Sequence, residues 1–116
     1  MSGNGELDRE FLDELLDGDR EFAGELFDTY FESADQAYAD AVSRLGSGDS
    51  ENAFRPFHTL KGASASVGLM KLQDYARSLE VRAKSGDLEF CGQQLPSLKA
   101  AIEEAKATLK AYLESL

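Results

Sequence analysis

The chain has 116 residues, 42% of them hydrophobic, and its 12 basic and 22 acidic side chains give a net charge of −10 at pH 7. This length predicts one domain, residues 1–116, with one core, and the negative charge argues against nucleic acid and membrane surfaces as partners. A lone Cys91, no Cys/His cluster and no membrane-length apolar run predict a cytoplasmic protein without a metal or cofactor of its own.

Two helices are predicted in the first half of the chain, because apolar residues recur there every three or four positions. The polar start at 1–5 shows no signal-peptide pattern, and we expect it to be disordered. A short helix covers 7–16, and Gly18 ends it. A long helix then follows Asp19, a typical N-cap residue, and stops at the turn residues 46–49.

Three more helices are predicted in the second half by the same spacing. The third runs from about 50 to 66, the fourth covers 69–83, and the fifth covers 88–112. Pro56 lacks an amide hydrogen, so it should bend the third helix or move its regular start to a later residue. Pro96 should kink or split the fifth helix for the same reason.

The predicted elements define an all-α fold. No segment shows the alternating pattern of a β-strand, and there is no internal repeat. Four amphipathic helices joined by short loops pack most simply as an antiparallel up-down four-helix bundle. The short first helix would then cap one end of this bundle. We expect the protein to be a monomer.

The only histidine, His58, lies on the predicted third helix but outside the stripe that should face the core. At about 100° per residue, the core-facing stripe consists of Ala53, Phe57, Leu60, Ser64 and Val67. A second stripe, roughly 110° away, consists of Phe54, His58, Lys61 and Ala65. Gly62 lies about 40° beyond His58 and would leave the imidazole open on that side, although glycine costs roughly 1 kcal/mol in a helix relative to alanine.

The charges are distributed unevenly along the chain. Residues 53–84, which include the histidine, carry six basic and two acidic side chains, a balance of +4. The remaining residues carry six basic and twenty acidic side chains, a balance of −14. A basic zone on an acidic protein suits a partner with an anionic contact surface, such as a phosphate or a cluster of aspartates.

The histidine belongs to a motif that continues into the next helix, with the residues His58-Thr59-Leu60-Lys61-Gly62, Gly68 and Leu79-Glu80. This pattern resembles the histidine phosphotransfer (HPt) domain of two-component phosphorelays. The resemblance extends from about Leu7 to the C-terminus, and HPt domains have the helical-bundle fold that the periodicity predicts. It implies a phosphoryl carrier, and not an enzyme, that exchanges a phosphoryl group with an aspartate of its partner.

The resemblance implies a role for each of four residues. His58 would be phosphorylated on its imidazole, Lys61 would offset the negative charge of the phosphoryl group, and Gly62 would give access to the ring. Glu80 would accept a hydrogen bond from the second imidazole nitrogen and thereby select one tautomer, if the third and fourth helices are neighbours. Gly68 is expected to end a helix and not to serve the site.

The partners are implied by the same resemblance. The chain has no Walker-type glycine-rich loop and no protein-kinase signature, so we expect neither ATP binding nor self-phosphorylation. Response-regulator receiver domains would supply the phosphorylatable aspartate and Mg²⁺, and a sensor histidine kinase would act earlier in the relay. The residues expected to contribute to docking are Phe54, Arg55, Ala65 and Arg77.

Other interpretations remain open. Phe54-Arg55 also resembles the N-terminal phosphotransfer domain of chemotaxis-type histidine kinases, but such domains often carry a second histidine where this chain has Arg77. A bundle that binds partners without chemistry would not need the combination of His58 with the lysine and glycine of its motif. A metal-dependent hydrolase is disfavoured, because one histidine without clustered carboxylates makes a poor metal site.

Overall fold

A computed structural model describes residues 7–116, so the expected disorder of residues 1–5 lies outside the described part of the chain. The five helices are α1 (Arg9–Leu16), α2 (Arg20–Gly46), α3 (Arg55–Ser66), α4 (Met70–Lys84) and α5 (Leu88–Glu114). Residues 7–116 contain no β-strand, and one isolated backbone bridge pairs Leu7 with Leu69. The prediction of an all-α protein with five helices is therefore confirmed.

Three helices begin with the same local arrangement, an aspartate followed three residues later by a phenylalanine. The carboxylates of Asp8, Asp19 and Asp87 accept hydrogen bonds of 3.0 to 3.3 Å from the amides of these phenylalanines. Such a side chain satisfies one of the free amides at a helix start, and its negative charge is favourable there. The predicted N-cap at Asp19 is confirmed.

The two prolines have different consequences. Pro56 is the second residue of α3, a position where the missing amide hydrogen costs no helical hydrogen bond. The predicted start of the third helix near residue 50 is therefore wrong, and the later start allowed by Pro56 is confirmed. Pro96 lies inside α5, which continues through it without a break, so of the two predicted outcomes, a kink or a split, the split is wrong. The carbonyl that loses its amide partner is that of Gly92, which is half-buried and carries no side chain, so water can hydrate it.

The core lies between the helices, where α3 packs against α2 and α4 while α5 packs against α2 and α4. Every member of the predicted core-facing stripe of α3 is buried, and the one polar member, Ser64, shares a hydrogen bond of 3.0 Å with the hydroxyl of Tyr30. Three apolar residues that formed part of the pattern are more exposed than it implied, at about 40% each: Phe11, Leu15 and Phe22.

Gly68 ends α3 and connects it to α1. Its φ of +74° lies in the left-handed region that favours glycine, and an added Cβ would lie 3.3 Å from the carbonyl oxygen of Asp8. The amide of Asp8 donates to the carbonyl of Gly68 at 2.8 Å, and the hydroxyl of Tyr112 donates to Asp13 at 2.6 Å. These contacts hold α1 against the ends of α3 and α5, and the predicted helix stop at Gly68 is confirmed.

Candidate functional site

His58 lies in the second turn of α3, on the flank between the buried stripe and solvent. Its side chain is 63% exposed, so another molecule can approach the ring. One turn later, a Cβ added to Gly62 would meet nothing within 4 Å, which shows open space on that side of the helix. The position off the core-facing stripe and the open surface at Gly62 agree with the prediction from the helical wheel.

Glu80 lies on α4 and faces His58 across the contact between α3 and α4. It is only 4% exposed, and its carboxylate contacts three nitrogen atoms. Oε2 lies 2.9 Å from Nδ1 of His58 and 3.4 Å from Nζ of Lys84, while Oε1 lies 2.7 Å from Nζ of Lys61. The structure thus brings together His58, Lys61 and Glu80, as the resemblance implied.

The three nitrogen contacts decide the protonation of the Glu80 carboxyl group. Burial by itself raises its pKa, but hydrogen bonds from Lys61 and His58, together with the nearby lysine charges, outweigh burial and lower the pKa to about 2. Glu80 is therefore a carboxylate at neutral pH. A buried carboxylate is favourable only where cations and hydrogen-bond donors surround it, and this site provides both.

The ionisation of Glu80 in turn selects the tautomer of His58. A carboxylate can only accept hydrogen bonds, so Nδ1 of the ring must donate across the 2.9 Å contact. In the neutral imidazole, Nε2 then carries the free lone pair. The arrangement leaves one nucleophilic nitrogen on an exposed ring whose orientation a buried acceptor holds.

Lys84 is the member of the site that the sequence analysis did not identify. It appeared there only as one of the basic residues in 53–84, whereas the structure places its ammonium on Oε2 of Glu80. The available signal was the spacing, because Glu80 and Lys84 are four residues apart and such pairs are neighbours on a helix surface.

The four predicted docking residues lie in different surroundings. Phe54 is half-buried, and the guanidinium of Arg55 and the ammonium of Lys84 lie 5.1 and 5.0 Å from the centre of its ring. Arg55 is exposed and donates to Asn52, whereas Ala65 is half-buried on the flank of α3 that carries His58. The fourth residue, Arg77, is exposed and pairs with Asp74 on its own helix at 2.8 Å.

Two further observations concern the described residues. Across residues 7–116, no three His, Cys, Asp or Glu side chains are grouped closely enough to hold a metal ion. None of the five helices is both long and apolar enough to cross a membrane. Cys91 is fully buried, and its thiol lies 3.6 Å from the carbonyl oxygen of Leu79.

Comparison with known proteins identifies the family. The Hpt domain matches residues 25–108, a range that includes His58, Lys61, Gly62 and Glu80. The phosphorelay intermediate protein rdeA of Dictyostelium discoideum is 26% identical over 98 residues, which cover 84% of this chain but only 39% of that protein. No solved structure matches the chain significantly. Because the Hpt match extends over most of its length and across the whole site, the chain belongs to the Hpt domain family.

Proposed function

We propose that this protein accepts a phosphoryl group on Nε2 of His58 and exchanges it with the aspartate of response-regulator receiver domains in a two-component phosphorelay. The observation that carries this proposal is the contact of 2.9 Å between Nδ1 of His58 and the ionised carboxylate of Glu80. It keeps the lone pair on Nε2 and holds the ring, while 63% of the His58 side chain stays exposed.

The transfer step follows from this arrangement. The Nε2 lone pair attacks phosphorus of an aspartyl phosphate, the bond between phosphorus and the aspartate oxygen breaks, and its electron pair returns to the aspartate. Nδ1 keeps its proton, so the product is a phosphorylated imidazolium whose positive charge lies beside Glu80. The reverse step returns the phosphoryl group to an aspartate, and Glu80 supports transfer in both directions by holding the same proton throughout.

The setting of this reaction is part of the proposal. The chain is proposed to carry a phosphoryl group without kinase activity, so a sensor histidine kinase would supply the phosphoryl group to the first aspartate of the relay. The receiver domain would hold the Mg²⁺ that phosphoryl transfer requires.

We propose that α2 to α5 form an antiparallel four-helix bundle with α1 at one end. The proposed compartment is the cytoplasm, which suits a chain whose single cysteine has no partner for a disulfide.

Incubation with a panel of phosphorylated receiver domains tests this function. The mass of the chain should increase by one phosphoryl group that is labile in acid and stable in base, as expected for phosphohistidine. His58→Gln should stay unlabelled with the same donors. A chain that binds the receivers but never gains a phosphoryl group would be an adaptor, and the proposal would then be wrong.

A further inference from the structure

The two lysines on Glu80 are held unequally. Lys61 contacts the carboxylate at 2.7 Å, and only 26% of its side chain is exposed. Lys84 contacts it at 3.4 Å, and 56% of its side chain is exposed. A short, partly buried ion pair is harder to separate than a longer one in water. Separating Lys84 from Glu80 therefore costs less free energy than separating Lys61 from it.

The ammonium of Lys84 also lies close to the imidazole of His58. Its Nζ and Nδ1 of His58 contact the same oxygen of Glu80, at 3.4 and 2.9 Å, so the two nitrogens are at most about 6.3 Å apart. A lysine carries its charge on a flexible four-carbon chain, and a rotamer change moves the ammonium by several ångströms. The phosphoryl group would sit on Nε2, on the side of the ring away from Glu80, so Lys84 has to change its rotamer to contact it.

Phe54 restricts where this lysine can go. Phe54 is the N-cap residue of α3, one turn before His58, and Lys84 follows Glu80 by one turn on α4. The two side chains meet across the helix pair. The ammonium lies 5.0 Å from the centre of the phenylalanine ring, at a distance typical of a cation–π contact. Because Phe54 is half-buried against the core, its ring is a fixed support for a mobile cation.

We propose that Lys84, positioned by the ring of Phe54, neutralises the phosphoryl group on His58, while Lys61 remains on Glu80. This assignment rests on the phosphotransfer function proposed above. Phosphorylation brings up to two negative charges onto the ring whose other nitrogen contacts the Glu80 carboxylate. With both lysines on Glu80, the phosphoryl group has no lysine of its own, whereas a move of Lys84 gives each anion one lysine.

Chemical phosphorylation with potassium phosphoramidate tests this assignment without any partner protein. The ³¹P NMR signal of phosphorylated His58 is titrated with pH in the wild type and in variants. Lys84→Gln should raise the titration midpoint of the phosphoryl group by about half a unit, because a nearby cation favours its doubly ionised form. Lys84→Arg should restore the wild-type midpoint, and Phe54→Leu should give a smaller rise.

Lys71→Gln is the matched control, because it removes one exposed lysine near the start of the same helix and should leave the midpoint unchanged. Equal titration midpoints for Lys84→Gln and Lys71→Gln would overturn the assignment. A midpoint that rises in Lys61→Gln but not in Lys84→Gln would overturn it as well. The test is separate from that of the function. A wild-type chain that phosphoramidate labels but no receiver exchanges with would refute the phosphorelay role, while the same spectra would still decide the role of Lys84.

Discussion

Replacing Glu80 with glutamine should remove a pH-dependent part of the folding stability. The folded protein holds the pKa of this carboxyl group at about 2, against 4.5 for the unperturbed group. One pKa unit corresponds to about 1.4 kcal/mol, so ionised Glu80 contributes about 3 kcal/mol to the free energy of unfolding at pH 7. Because the folded pKa is lowered, this contribution is present above about pH 4.5 and is lost as the pH falls towards 2.

Urea unfolding followed by circular dichroism measures this effect at pH 7 and pH 3. The stability difference between the wild type and Glu80→Gln should shrink by about 2 kcal/mol between the two pH values, since protonated glutamic acid and glutamine are both neutral. The control is the exposed Glu104, for which the change to glutamine should alter stability by less than about 0.5 kcal/mol. A Glu80→Gln difference that is the same at both pH values would refute the reasoning.

Four further substitutions test individual features of the site and the fold. His58→Gln should abolish phosphoryl acceptance in the receiver assay and leave the circular dichroism spectrum unchanged, because the side chain lies outside the core. Gly62→Gln should slow transfer while raising the free energy of unfolding by up to about 1 kcal/mol, since a side chain there meets open space beside the imidazole; an unchanged transfer rate would contradict the access role. Lys61→Ala should slow transfer more than Lys71→Ala in stopped-flow measurements, because it frees the oxygen of Glu80 that Lys61 holds at 2.7 Å. Gly68→Ala should destabilise the protein by about 1–2 kcal/mol in urea unfolding, because its φ of +74° is unfavourable for any residue with a Cβ; an unchanged midpoint would argue against that strain.

The sequence by itself determined the helices and the position of the histidine. Helix periodicity, aspartate N-caps and glycine stops are local properties, so they can be recognised from neighbouring residues alone. Asp19, Gly68 and the buried stripe of α3 were predicted in this way and are confirmed. The exposed position of His58 follows from the same stripe, whereas the pairing with Glu80, 22 residues away, was available only through the family resemblance.

Only the tertiary structure decided how the site is assembled. Periodicity does not tell which side chains of two helices meet, so it did not place the ring of Phe54 beside Lys84. The pair of Lys84 with Glu80 lies within α4, and its spacing of four residues could have been recognised from the sequence. Periodicity also does not tell that Phe22, an apolar residue in the first turn of α2, stays 40% exposed. The low pKa of Glu80 depends on the tertiary structure, because its burial and its contacts with His58 and Lys61 exist only once α3 and α4 have packed together.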